Sequence, residues 1–156
     1  MPDPHANAGY QRLFGGEELT FGVGFPISSG GAPARTAETE RKPPVVDREL
    51  ELAARAEELG FDGLWARDVP LYWPSFGDAG QVFDTWPWLG HVAAETEEIA
   101  LGTASVVLSL RHPIHVAKSG ATIDRLSDGR LVLGVATGDR DPEYAAFGVE
   151  KADRGE

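Results

Sequence analysis

The fold is decided by the stretch LGTASVVLSLRHPIHVAKSGATIDRLSDGRLVLGVATG (101–138). Its first residues continue a β-branched, apolar run that begins at Ile99 and is typical of a strand buried on both faces. A proline at the first turn predicts a helix over 113–126. SDGR (127–130) predicts a turn, and LVLGVATG (131–138) predicts a further strand. Strand, helix and strand in this order predict parallel strands joined by a right-handed crossover.

The remainder of the chain repeats this alternation. Apolar and small residues alternate in LTFGVGFP (19–26) and predict a first strand, and FDGLWA (61–66) predicts a second. The other predicted elements are a loose leader (1–18), a helix from Pro44 to Gly60, a helix capped by Asp84 or Thr85 that runs to about Glu98, and a short helix (142–147). Long loops over 28–43 and 67–82 follow the first two strands, and loops of this length are often functional.

Alternating strands and helices are compatible with two α/β folds, a doubly wound sheet and a TIM barrel. No GxGxxG follows the first strand, which weakens the dinucleotide-binding version. In either fold, function lies at the carboxyl ends of the strands. Those ends are Phe25-Pro26, Arg67-Asp68, Ala104-Ser105 and Thr137-Gly138.

Composition restricts the function further. The 156 residues carry a net charge of −11, which disfavours nucleic acid as a partner. There is no cysteine, so disulfides, thiolate metal sites and a cysteine nucleophile are excluded. No apolar run approaches the ~18 residues of a membrane span, and the polar N-terminus lacks a signal core, so we expect a cytoplasmic protein.

The basic residues are strongly biased, with three lysines against eleven arginines. A high acidic load with little lysine suits a protein adapted to salt, because salt screens the repulsion between carboxylates. An ordinary acidic protein encoded by GC-rich codons has the same bias. The sequence favours neither explanation.

Three stretches resemble the bacterial luciferase-like family of flavin-dependent oxidoreductases: AEELGFDGLWARD (56–68), the stretch 101–138 quoted above, and FGVEKADRGE (147–156). The resemblance extends over roughly 20–156. It implies a (β/α)8 barrel that uses FMN, or alternatively the deazaflavin F420, to oxidise or reduce a small organic molecule. The barrels of that family are about twice as long as this chain, as the fold requires ~250 residues. Residues 19–156 are therefore expected to form a half-barrel of four strands and three helices.

The resemblance also implies a set of cofactor-binding residues. Ala104-Ser105 corresponds to a non-prolyl cis peptide beneath the flavin ring, and Arg154 to a basic residue that reaches the flavin phosphate. The implied cofactor-binding residues are Asp68, Ala104, Ser105, Thr137, Gly138 and Arg154. No catalytic residue is assigned, and no residues have the spacing of metal ligands.

Each of these residues also has a plainer interpretation. Asp68 can form a surface pair with Arg67, and two small residues at 104–105 can simply pack in a barrel layer. Gly138 permits a tight turn or the close approach of a ligand. Arg154, with its forked donors, suits a phosphate but lies two residues from the end of the sequence.

Four aromatic residues precede or occupy the second loop. Trp65, Tyr72, Trp73 and Phe76 either line an apolar pocket over the flavin or pack the loop down. His112, before Pro113, is interpreted as closing the turn that begins the helix.

Two departures from the light-emitting members limit the resemblance. Val69 stands where they carry a catalytic histidine, and Ala136 stands where they carry a reactive cysteine. These differences argue against light emission from a long-chain aldehyde and favour another oxidoreductase branch.

A half-barrel exposes two strand edges and an apolar face that a closed barrel covers. We therefore expect a partner, either a C-terminal half or a second copy of the chain, and an inactive enzyme without it. A non-catalytic half-barrel that binds a partner chain is the alternative function.

Overall fold

Helices and strands alternate along residues 4–25, 45–71, 73 and 83–155, the part of the chain that a computed structural model describes. The helices are α1 (Ala8–Phe14), α2 (Val46–Glu58), α3 (Thr85–Glu95), α4 (Pro113–Leu126) and α5 (Asp141–Phe147). The strands are β1 (Gly22–Phe25), β2 (Gly63–Ala66), β3 (Ala100–Thr103), β4 (Val106–Val107), β5 (Leu131–Val132) and β6 (Val135–Ala136). Single 3-10 turns cover Pro4–Ala6, Leu108–Leu110 and Lys151–Asp153.

The strands form a parallel sheet in the order β1-β2-β3-β5, and β4 pairs with β6 in a second, short parallel sheet. The predicted parallel arrangement is confirmed. The third and fourth predicted strands are each divided in two, at 104–105 and 133–134. Next to these two divisions, the Thr103 hydroxyl donates to the Gly134 carbonyl oxygen at 2.8 Å. A Cβ on Gly134 would lie 2.0 Å from the Thr103 carbonyl oxygen, so only glycine permits this approach.

The apolar core lies between one face of the sheet and helices α2, α3 and α4. Successive residues of a strand point to opposite faces, and the fully buried Leu64 and Ala66 point toward these helices. Leu101 from β3 and Ile123 from α4 join the same cluster.

The opposite face of the sheet carries several glycines and one large ring, that of Trp65. Trp65 belongs to this face because its neighbours Leu64 and Ala66 belong to the other. A Cβ on Gly22 would lie 2.3 Å from Trp65 Nε1, and a Cβ on Gly102 would lie 2.3 Å from Trp65 Cε3. The indole therefore lies across the strands in space that the missing side chains leave open.

Residues 4–14 differ from the predicted loose leader, because they contain a 3-10 turn and helix α1. The Asn7 side chain caps α1 by accepting from Tyr10 N at 2.8 Å, and it donates to Asp124 Oδ1 at 3.0 Å. Gly9 N donates to the Gly129 carbonyl oxygen at 3.0 Å, and Leu13 is buried. A seven-residue helix is unstable alone, so tertiary packing and not local periodicity determines it.

Arg130, the last residue of the SDGR turn, is buried and holds the ends of three elements together. Its Nε donates to the Ser127 carbonyl oxygen at 2.8 Å. Its terminal nitrogens donate to the carbonyl oxygens of Ala93, Thr96 and Ile99 and to the Thr96 hydroxyl, at 2.8 to 3.0 Å. These bonds fix the carboxyl end of α3 against the start of β3. Burial lowers the pKa of Arg130 below its usual value, despite the opposing charges of Glu57 and Asp128.

Helix α3 ends at Glu95, three residues before the predicted end, because a carboxylate binds the residues that follow. Glu57 Oε1 accepts from the backbone N–H groups of Glu97, Glu98 and Ile99, at 3.1, 2.7 and 2.7 Å. Burial alone would raise the pKa of Glu57, but these bonds and the charge of Arg130 hold it below its usual value. In the described part of the chain, no helix has the length and apolar character needed to cross a membrane.

Candidate cofactor cleft

A cleft of about 390 Å³ opens at the carboxyl ends of β2, β3 and β6, beside Val107 of β4. This is the side of the sheet on which the sequence predicts the site. The lining residues are Arg67, Asp68, Val69, Ala104, Ser105, Val107, Ala136, Thr137, Gly138, Asp139, Arg140 and Glu143.

The cleft brings together five of the six predicted cofactor-binding residues: Asp68, Ala104, Ser105, Thr137 and Gly138. Arg154 is outside its lining; it is exposed and ends the 3-10 turn Lys151–Asp153. Lys151, which begins that turn, is closer, because its ammonium donates to the carbonyl oxygen of the lining residue Asp139 at 2.8 Å.

The backbone between β3 and β4 forms one wall of the cleft. The Ala104–Ser105 peptide bond is cis, as the resemblance implies. Ala104 N donates to the Ala66 carbonyl oxygen at 2.7 Å, which holds this segment against the end of β2. Ala104 is exposed and Ser105 is half-buried, so the wall presents small side chains and a hydroxyl to the cleft.

Asp68 pairs with Arg111 and not, as the plainer interpretation proposes, with Arg67. Asp68 Oδ2 accepts from Arg111 Nε at 2.7 Å, and Asp68 Oδ1 accepts from a terminal nitrogen of the same guanidinium. Val107 N donates to Oδ2 at 3.3 Å. The hydrogen bonds and charge of Asp68 raise the pKa of Arg111. Sequence reasoning missed Arg111, although it directly precedes the His-Pro pair that opens α4.

Gly138 lies where the opposite wall turns. Its φ is +85°, and a Cβ there would lie 2.7 Å from a Val107 methyl group and 3.4 Å from the Tyr144 hydroxyl oxygen. Both the backbone angle and the close approach require glycine. The Thr137 carbonyl oxygen accepts from the Ser109 hydroxyl at 2.6 Å and from the Tyr144 hydroxyl. The end of β6 is therefore fixed, while the side chain of Thr137 remains exposed.

The end of the cleft formed by α5 carries both signs of charge. The buried Arg140 and Glu143 form an ion pair, with 3.4 Å between Arg140 Nη1 and Glu143 Oε1. Arg67 and Asp139 are exposed at the cleft. Within the described ranges no group of histidines and carboxylates has the arrangement of a metal site.

The aromatic residues do not line the cleft where the structure describes them. Trp65 packs over glycines on the sheet face, and Trp73 is 43% exposed and outside the lining. Tyr72 and Phe76 fall outside the described residues. The prediction for His112 is confirmed, because its Nδ1 caps α4 by accepting from Ile114 N at 3.3 Å.

Comparison with known proteins places this geometry in a family. A family model described as luciferase-like monooxygenase matches residues 20–156. The F420-dependent glucose-6-phosphate dehydrogenase of Nakamurella multipartita is 40% identical over 90 residues, which cover 57% of this chain and 26% of the relative. The alkanal monooxygenase alpha chain of Photobacterium leiognathi is 28% identical over 109 residues, which cover 70% of this chain and 29% of the relative.

Solved structures give the same result. The monooxygenase RslO1 from Streptomyces bottropensis superposes with a TM-score of 0.68 at 26% identity, covering 88% of this chain and 39% of that one. The coenzyme F420-dependent tetrahydromethanopterin reductase from Methanopyrus kandleri has a TM-score of 0.61 at 23% identity and shares the fold. The predicted TIM-type barrel is confirmed, and the described strands form part of one. The chain spans well under half the length of these relatives.

Proposed function

The chain belongs to the luciferase-like monooxygenase family, and on that premise we propose that its cleft binds the ring of a flavin-type cofactor for the oxidation or reduction of a small organic molecule. One observation carries the proposal. Five residues from three separate strand ends, Asp68, Ala104, Ser105, Thr137 and Gly138, converge on a single cleft. Its volume lies in the range of small-molecule sites, about 300–1,000 Å³.

The walls of the cleft suit a flat polar ring. Ala104 and Gly138 keep side-chain atoms away, so that a ring can approach the backbone closely. The hydroxyls of Ser105 and Thr137 can donate to or accept from polar atoms at the ring edge. When bound, the cofactor supplies the electron transfer, and the protein supplies orientation and electrostatics.

We propose FMN as the cofactor, with F420 as the alternative. FMN is the cofactor that the resemblance to the luciferase-like family implies, and F420 accords with the name of the dehydrogenase of Nakamurella multipartita. Both carry a similar tricyclic ring, so the walls of the cleft suit either. Val69 and Ala136 both line the cleft, and neither side chain can transfer a proton or act as a nucleophile. We therefore do not propose light emission.

Phosphate binding and turnover are proposed to need a further part of the barrel, a C-terminal half or a second copy. Within the described residues β1 and β5 are the edge strands of the main sheet, and Leu133 and Val135 beyond β5 are 43% and 50% exposed. Phosphate sites of TIM barrels commonly lie in the second half of the barrel. Arg154 and Lys151 are proposed to contribute to the phosphate site from the α5 side.

A titration tests both proposals. FMN and F420 fluorescence are followed with the 156-residue chain alone and with a C-terminal half taken from a relative. We expect weak binding and no oxidation of reduced flavin by the chain alone. Loss of two or three phosphate contacts of ~1.5–3 kcal/mol each weakens binding by a few powers of ten. The added half should restore binding and turnover.

Thr137→Trp should block the cleft with an indole ring. The wild-type Thr137 side chain is exposed there, and in the described structure Thr137 forms its hydrogen bonds through its carbonyl oxygen. Thr122→Trp is the matched control, since Thr122 is exposed on α4 and outside the cleft. If neither cofactor binds with or without the added half, the proposed function is wrong. Tight binding and turnover by the chain alone would contradict the need for a C-terminal half and would point to a barrel assembled from copies of this chain.

A further inference from the structure

We propose that Arg111 is a positioning residue that holds the cofactor-facing wall of the cleft in place through Asp68; the inference rests on the proposed function. In this arrangement the Asp68 carboxylate binds hydrogen-bond donors of this chain. It fixes the backbone from Ala104 to Val107, against which the ring lies.

The hydrogen bonds of Asp68 indicate this role. Three donors of this chain already engage its carboxylate: Arg111 Nε at 2.7 Å, a terminal nitrogen of Arg111, and Val107 N at 3.3 Å. The Asp68 side chain is 3% exposed and that of Arg111 is 25% exposed, so the guanidinium covers the carboxylate on its outer side. A forked guanidinium bound to both oxygens fixes the orientation of the carboxylate as well as its charge.

The pair acts on one continuous segment of chain. Ala104 is held at one end of this segment by its hydrogen bond to Ala66. Val107 is held by Asp68, and Arg111 closes the 3-10 turn through its own N–H, which donates to the Leu108 carbonyl oxygen at 3.1 Å. The pair thus connects the end of β2 to the segment 104–111, which includes the wall residues on this side of the cleft.

Lysine cannot replace arginine in this arrangement. An ammonium keeps the positive charge but cannot bind both carboxylate oxygens in the planar fork that the guanidinium provides. Arg111→Lys therefore separates the geometric role from the charge, and Arg111→Met removes both. Leu108→Ala is the matched control, because Leu108 lies in the same turn, is 42% exposed and does not bind Asp68 through its side chain.

The first measurement needs no cofactor. Amide hydrogen exchange of the 156-residue chain should show Val107 exchanging at least tenfold faster in Arg111→Lys and Arg111→Met than in wild type, under conditions in which all variants are folded. In Leu108→Ala the same amide should change less than threefold after correction for global stability. Wild-type exchange at Val107 in the Arg111 variants would overturn the proposal.

The second measurement uses FMN and riboflavin as probes, with the added C-terminal half present. Because the pair acts on the wall that faces the ring, both Arg111 variants should lose at least tenfold in affinity for both probes, by the same factor. The visible circular dichroism of the bound ring should fall as well. Affinities within threefold of wild type, or a loss confined to FMN, would overturn the role toward the ring.

The two measurements distinguish a failure of the proposed function from a failure of the inference on Arg111. If wild type binds neither FMN, riboflavin nor F420, the proposed function is wrong and the role toward the ring falls with it. If wild type binds and the Arg111 variants bind equally well, the proposed function stands and this inference is wrong.

Discussion

Arg130→Met removes the guanidinium that connects the carboxyl end of α3, the start of β3 and the turn before β5. The side chain makes five hydrogen bonds in a buried site, four of them to carbonyl oxygens. Methionine has a similar length and no donor, so these oxygens lose their partner while they remain buried.

The expected cost follows from two opposing effects. A buried acceptor left without a partner costs ~1–3 kcal/mol, and several are created here. Part of this loss of stability is recovered, because the folded protein no longer has to bury and desolvate a charged guanidinium. Several unsatisfied acceptors, less this recovered desolvation, leave a net cost of ~3–5 kcal/mol. For a domain of this size, that corresponds to a fall in Tm of about 6–20 °C.

The measurement is a thermal melt followed by far-UV circular dichroism, supported by urea unfolding. Arg125→Met is the matched control, since Arg125 is exposed on α4, and it should stay within ~0.5 kcal/mol of wild type. Arg130→Lys should lie between wild type and Arg130→Met, because an ammonium cannot span all five acceptors. A Tm for Arg130→Met within about 2 °C of wild type would refute the reasoning about unsatisfied acceptors.

Three further predictions concern pH, the glycine-rich face and salt. The pKa of Glu57 is held below its ordinary value of 4.5, so its stabilising effect is present above that pH and is lost as the pH falls through the folded-state pKa. Glu57→Gln should therefore lower the free energy of unfolding at neutral pH and have a smaller effect in acid. Gly102→Ala should cost ~1–3 kcal/mol, because its Cβ would overlap the Trp65 ring, and Trp65→Leu should rescue part of this loss. With a net charge of −11, Tm should rise from dilute buffer to molar KCl, as measured by circular dichroism.

Each has an outcome that contradicts it. For Glu57, urea unfolding measures the difference in free energy of unfolding between Glu57→Gln and wild type. The prediction is wrong if this difference is the same in acid as at neutral pH. For Gly102, additive costs in the Gly102→Ala, Trp65→Leu double variant would show that the two residues do not compete for space. A Tm that is constant across the salt range would argue against salt adaptation and favour a bias in codon composition.

The alternation of elements and the position of the cleft could be predicted because they depend on local signals. Helix α4 begins and ends where predicted, at Pro113 and Leu126, since a proline and a capping histidine mark its start. Strand ends in a parallel sheet share one edge, and this brings residues from 68 and 138 together without any knowledge of contacts.

Other features depend on contacts between distant residues, which no local pattern records. The partner of Asp68 is 43 positions away, and the nearer Arg67 is the obvious candidate in sequence. Both later strands are divided beside the close approach of Gly134 to Thr103, a contact across 31 positions. The sequence predicts a loose leader over the residues that form helix α1, and this helix is fixed by the hydrogen bond from Gly9 N to the Gly129 carbonyl oxygen.

The Trp65 ring has a consequence for how the sequence can diverge. Gly22 and Gly102 cannot gain a side chain while the indole lies against them, and Gly63 has the same ring 3.3 Å from its Cβ position. Side chains at positions 22, 63, 65 and 102 would therefore compete for the same space. Along a lineage, a larger residue at any of the glycines requires a smaller one at position 65, in the same step or before it. We expect these positions to covary among relatives, with a roughly constant sum of side-chain volumes, even where each position alone looks variable.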